Sequence, residues 1–144
     1  MNNESFQRTL DLAASPEDVL TRISQVNLWW AKDFKGKAEK RGDAFSVHFG
    51  DTFVDFQISE FVPNKRAVWK VTDCNLHWIA DKKEWKNTEV VFEVLDEGPL
   101  TRLRFTHVGL VSSAECYSNC EVGWNQHVTV SLAQLIQQGT GQPN

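Results

Sequence analysis

Phe45-Ser46-Val47-His48-Phe49-Gly50-Asp51-Thr52-Phe53-Val54-Asp55-Phe56-Gln57-Ile58 decides the fold. Phe45, Val47 and Phe49 alternate with Ser46 and His48, and after Gly50-Asp51 the same period resumes with Val54, Phe56 and Ile58 against Asp55 and Gln57. A period of two means strands with one buried face, and a two-residue glycine-containing link means that they pair as a hairpin. The pattern continues outward. Ala67, Trp69 and Val71 alternate with Arg66 and Lys70, with Val68 the one apolar residue on the other face; Val90, Phe92 and Val94 follow, then Leu103, Phe105 and His107. The links around Pro63-Asn64 and Glu97-Gly98-Pro99 are too short for the crossover helices that parallel strands need. Residues from about Phe45 to Gly109 are therefore expected to form consecutive antiparallel strands.

On the N-terminal side, Phe6, Leu10 and Leu12 share a period-two face, which predicts a first strand. Ser15-Pro16-Glu17-Asp18 supplies an N-cap, a proline for the first helical position and acids facing the helix dipole, so a helix is expected through about Arg22. Asn27-Leu28-Trp29-Trp30 predicts a second short helix or turn, followed by a polar stretch from Lys32 to Gly42. On the C-terminal side, Ser118-Asn119-Cys120-Glu121 has the spacing of a capping box, and Gly139 is a natural stop. About 20 residues between them make a helix roughly 30 Å long. Trp124, Val128, Leu132 and Leu135 fall on one stripe of it. The fold class is thus α+β: a curved antiparallel sheet wrapped around one long C-terminal helix, with two short helices after the first strand. A single domain over residues 1–144 is expected, with residues 140–144 frayed.

The 144 residues are 41% hydrophobic and 24% charged, with a formal charge of −4. The charges are dispersed, without the basic stripe that phosphate neutralisation requires, so nucleic acid is not an expected partner. The start Met1-Asn2-Asn3-Glu4-Ser5 has no apolar h-region, and no window approaches the roughly 20 apolar residues of a membrane span. Three cysteines, Cys74, Cys116 and Cys120, do not make a secreted disulfide framework, and a cytoplasmic location with free thiols is expected.

Asp81-Lys82-Lys83-Glu84-Trp85-Lys86-Asn87-Thr88-Glu89, the run Leu103-Arg104-Phe105-Thr106-His107-Val108-Gly109-Leu110, and the segments from Glu115-Cys116-Tyr117 to Gly123-Trp124 and from Ser131-Leu132 to Gly139 carry a family resemblance. The chain resembles the START-like, or SRPBCC, superfamily, within it the bacterial subgroup related to the C-terminal domain of the activator of the heat-shock chaperone ATPase. The resemblance implies a helix-grip fold with a cavity between sheet and helix, where superfamily members hold lipids, sterols, polyketides or plant hormones. An apolar small molecule is the implied partner; a chaperone or other protein is the alternative.

The residues themselves give a candidate site. His107 shares the inward parity of Leu103 and Phe105, and His127 flanks the Trp124 stripe with Ser131; either these are convergent polar groups of an apolar pocket, or they are packed and edge histidines satisfied by the fold. The expected ligand-binding residues are Trp30, Phe56, Trp69, Phe105, His107, Trp124, His127 and Val128. Arg8 breaks the pattern of the first strand and either pairs with Asp73 or Glu60, meets an acidic ligand, or passes the sheet edge into solvent. Trp78 and Trp85 bracket a long loop and either pack on each other or form a patch for a partner protein. Cys116, Cys120 and His127 lack a fourth ligand for zinc, so neither metal nor cofactor is expected. Cys120 lies near a helix N-terminus, where thiols are activated, without a base beside it in the sequence. Nucleophile-elbow, Walker, dinucleotide and HExxH patterns are absent, so nothing positive supports catalysis; a cyclase or hydrolase would need a histidine beside a carboxylate in an open cavity.

Overall fold

The computed structural model describes residues 4–144; residues 1–3, part of the stretch read above for a targeting segment, lie outside the described residues. Among the described residues, β1 (Phe6–Leu12), β2 (Phe34–Gly36), β3 (Ala44–Phe49), β4 (Thr52–Val62), β5 (Arg66–Asn75), β6 (Glu89–Glu97) and β7 (Leu100–Val108) form one sheet in the order β1-β7-β6-β5-β4-β3-β2. Every neighbouring pair is antiparallel. The first strand closes one edge by pairing with the last, Leu10 opposite Leu103. Register shifts between Asp55 and Phe56 and between Ile58 and Glu60 bend β4, which is how a long strand curves round a helix. β2 was not legible in the polar stretch after Lys32: a three-residue edge strand is too short to show a period.

The alternation predicted for β3 to β7 sets the inner face. Phe56, Trp69, Phe92, Phe105 and Trp124 are all 2% exposed or less. Val68 and Val91 face each other across β5 and β6 on the opposite face and are also buried, a small apolar pair outside the main core.

α1 (Pro16–Ser24) begins as its sequence dictates: the Ser15 hydroxyl accepts a hydrogen bond from the Asp18 amide at 3.1 Å, and Val19, Leu20 and Ile23 are buried. α2 (Val26–Trp29) follows at once and buries Trp29, whose indole N–H donates to the Ile23 carbonyl at 3.2 Å.

The C-terminal helix departs from expectation in three ways. It starts at Tyr117, earlier than the Ser118 box, and Cys116 at its cap position makes no side-chain capping bond. The amides of the two residues before it are held by a distant carboxylate: Glu84 accepts from Glu115 at 2.7 Å and from Cys116 at 2.9 Å. Glu121, the acid of the expected box, pairs with Arg8 at 3.2 Å. The helix then changes winding, from α3 (Tyr117–Trp124) through a π-helical segment (Asn125–Leu132) to α4 (Ala133–Gln138), with the Ala133 amide bonded to the Val128 carbonyl. The Thr129 hydroxyl donates to the Asn125 carbonyl, a competing bond of the kind that loosens helical winding. Gly139, at φ +85, ends the helix in the left-handed region as predicted.

Residues 140–144 are held down, contrary to the expected fraying. The Ser131 hydroxyl donates to the Trp29 carbonyl at 2.6 Å and accepts from the Gln142 amide at 2.7 Å, while Asn144 bonds through its backbone to Trp30 and Lys32. Short-range pattern does not reveal such pinning, because its anchors Trp29, Trp30 and Lys32 lie over a hundred residues away. Ser131→Ala will leave two backbone groups unpaired and cost about 1–3 kcal/mol, measured as a lowered urea midpoint together with faster amide exchange at Gln142. Unchanged exchange there would show that the tail is held by something else.

Candidate functional site

Trp124 lies at the centre of an aromatic stack. Its ring packs against Phe105 at 4.7 Å, Trp30 at 5.0 Å and Trp85 at 5.7 Å between centroids, the last nearly parallel. On the sheet side its indole N–H donates to Nδ1 of His107 at 3.1 Å. An indole can only donate, so in the neutral ring Nδ1 is the bare nitrogen and Nε2 carries the hydrogen. Nε2 then donates to the Thr88 hydroxyl at 2.9 Å, which donates in turn to the Trp85 carbonyl at 2.6 Å. Both ring nitrogens are satisfied by the protein, and burial pushes the His107 pKa down to about 3. This histidine orients an internal chain and has no free atom for a ligand.

The open space lies on the other side of Trp124. A pocket of about 310 Å³ is bounded by Phe49, Thr52 and Val54 of the β3–β4 hairpin, by Leu76, Trp78 and Trp85 of the β5–β6 loop, by Asn119, Cys120, Gly123, Trp124 and His127 of the C-terminal helix, and by Trp30 and Asn144. Five of these are aromatic rings of Trp or Phe, and none is Asp, Glu, Lys or Arg. The loop that forms one wall is latched to the helix start: the Glu115 carboxylate accepts the amides of Ala80 and Asp81 while Glu84 accepts those of Glu115 and Cys116. Those amides hold the Glu115 carboxyl below its ordinary range.

Of the expected ligand-binding residues, Trp30, Trp124 and His127 line this pocket. Phe56, Trp69, Phe105, His107 and Val128 are packed into the core behind it, so the two histidines do not converge on one space. His127 sits in the wall with its Nδ1 unpartnered and Nε2 only 3.5 Å from the Asn144 amide, and burial pushes its pKa down to about 4. Sequence reasoning missed Gly123, Asn119 and Asn144. An isolated glycine inside a helical pattern was a usable signal, since it costs the helix stability that alanine would not.

Trp78 and Trp85 part company: Trp85 is buried on Trp124 and His107, and Trp78 remains 45% exposed at the pocket mouth. Arg8 pairs with Glu121 and Asn125 of the helix rather than with Asp73 or Glu60. Asp73 bonds Lys83 at 2.9 Å. Cys116 and Cys120 are joined as a disulfide, which corrects the expectation of free thiols; Cys74 remains free and buried. Among the described residues, no group of three or more His, Cys, Asp and Glu side chains is placed to hold a metal ion. No helix among them is long and apolar enough to cross a membrane.

The family model for activator of Hsp90 ATPase homolog 1-like proteins matches residues 14–137, from the first helix to the end of the last. The chain belongs to this family. The solution structure of the Aha1 dimer from Colwellia psychrerythraea is 24% identical, with 98% of this chain and 100% of that one covered at a TM-score of 0.77. CalU16 from Micromonospora echinospora is 20% identical over 96% of this chain and 76% of its own, TM-score 0.70. The protein CV1439 from Chromobacterium violaceum is 17% identical over 93% and 98%, TM-score 0.68. No curated protein sequence matches the chain. At these identities the structural relatives share a fold and nothing finer; a family member with this sheet and helix is a START-like helix-grip domain.

Proposed function

We propose that this domain binds an uncharged, flat, apolar small molecule in the pocket beside Trp124. The observation that carries the proposal is the make-up of the wall: aromatic rings on several sides, few polar side-chain groups beyond the indole N–H donors and those of His127, Asn119, Asn144 and Thr52, and no charged side chain. A volume of about 310 Å³ is at the small end of ligand pockets. An ionic head group would lose its hydration there without a counter-charge, whereas a planar ring exchanges water for stacking area. His127 is held neutral, and its Nε2, only weakly engaged by the Asn144 side chain, supplies a hydrogen-bonding atom for orientation.

Gly123 provides the test. It is helical with ordinary φ, and a Cβ built there meets only the His127 ring carbon at 4.0 Å. Gly123→Ala will therefore stabilise the fold by about 0.5–1 kcal/mol through helix propensity. Gly123→Phe will fill the pocket and reduce binding of a neutral apolar dye such as Nile red at least tenfold, the unfolding midpoint being retained. Equal dye affinity in both variants and the parent would remove the pocket from consideration.

A second reading rests on Trp78, half exposed on the latched loop: a partner protein could dock there. Pull-down of a chaperone ATPase that Trp78→Ala abolishes and the pocket-filling Gly123→Phe leaves intact would favour it.

A further inference from the structure

We propose that Cys116 and Cys120 are a reversible dithiol–disulfide pair with Cys120 in the pocket wall, oxidised by a small hydroperoxide. They lie one turn apart at the start of the C-terminal helix, with Cα atoms 5.6 Å apart, within the span a disulfide bridges without backbone movement. Their surroundings are unequal. Cys116 is fully enclosed, and its sulfur accepts the Trp85 indole N–H at 3.3 Å; Cys120 keeps 6% of its surface and faces the pocket. An oxidant of nearly water size can reach Cys120 through the pocket and can reach Cys116 only by way of Cys120.

The roles follow from access. The Cys120 thiolate attacks one peroxide oxygen; the O–O bond breaks, sulfur gains that oxygen as a sulfenic acid, and the departing hydroxide takes a proton to become water. The Cys116 sulfur then attacks the sulfenic sulfur. The S–S bond forms, the S–O bond breaks, and the hydroxide leaves with the Cys116 proton as a second water. Two thiols have been oxidised by two electrons and one peroxide reduced to two waters. Reduction by an external dithiol reverses the pair. Cys74 is an internal control: it is buried in β5, is not among the pocket-lining residues, and its thiol donates to the Lys82 carbonyl at 3.5 Å.

The sequence makes the test convenient. No Lys or Arg follows Arg104, so trypsin leaves both cysteines on one C-terminal peptide and Cys74 on another. The reduced protein is treated with one equivalent of hydrogen peroxide, denatured, alkylated and digested. The expected product is a C-terminal peptide two hydrogens lighter and unalkylated, with Cys74 alkylated, and full alkylation of both peptides after dithiothreitol. Cys116→Ser should stop at a Cys120 sulfenic acid trapped by dimedone, and Cys120→Ser should leave Cys116 unoxidised. A C-terminal peptide that stays fully alkylated, Cys74 oxidised as fast as the pair, or wild-type Cys120 passing to sulfinic acid without an S–S bond would overturn the proposal. The decisive masses come from the wild-type chain without any ligand, so they are independent of whether a variant folds and of whether the pocket binds a small molecule.

Discussion

Trp124→Ala will lower the unfolding free energy by about 4–8 kcal/mol, enough to leave much of the chain unfolded at moderate urea. Removing a large buried aromatic accounts for about 3–5 kcal/mol of this, because Trp30, Trp85 and Phe105 all lose the ring they pack on. The rest comes from His107, whose Nδ1 loses its donor in a site without solvent. Trp124→Phe separates the two contributions: it keeps most of the packing, deletes the N–H, and should cost about 1–3 kcal/mol. Urea melts of the two variants measure both. A loss under about 1 kcal/mol for the alanine variant would mean that the helix is not anchored through this ring.

Stability will also fall steadily as the pH drops from 6.5 toward 4.5. Burial depresses His107 to about 3 and His127 to about 4 from an ordinary value of 6.5. Above pH 6.5 both histidines are neutral folded or unfolded, so the fold has its full stability. Below it the unfolded chain takes up protons that the folded chain refuses, and stability is lost at about 1.4 kcal/mol per pH unit for each histidine until its folded pKa is reached. Between pH 6.5 and 4.5 the loss is about 3–5 kcal/mol, the smaller share from His127 because its ring is only partly enclosed. Asp73 and Glu115, held below their ordinary 3.8 and 4.5, lose their contribution only as the pH falls below those values, so the window above 4.5 reports the histidines. Urea midpoints of the parent and His107→Gln across that window are the measurement. The variant should lose more than half of the slope, and a flat parent curve would show that neither ring is enclosed as described.

The sequence by itself determined the sheet, its antiparallel sense, the inner face from Phe45 to Phe105 and the apolar stripe of the last helix. These follow from the side-chain period and from the short links at Gly50-Asp51, Pro63-Asn64 and Glu97-Gly98-Pro99, both properties of neighbouring residues. The first helix was legible for the same reason, since Ser15 and Pro16 act on the amides beside them. The tertiary structure decided everything that depends on groups far apart in the chain. It tied the residues leading into the last helix to Glu84, paired Cys116 with Cys120, and drew residues 140–144 onto Ser131 and Trp30. It also divided the expected site. Inward parity placed His107 and His127 on facing surfaces, but parity says only which way a side chain points, and the volume between two surfaces depends on what fills it. Trp124 fills it, tying His107 into the core and leaving His127 at a pocket on its other side.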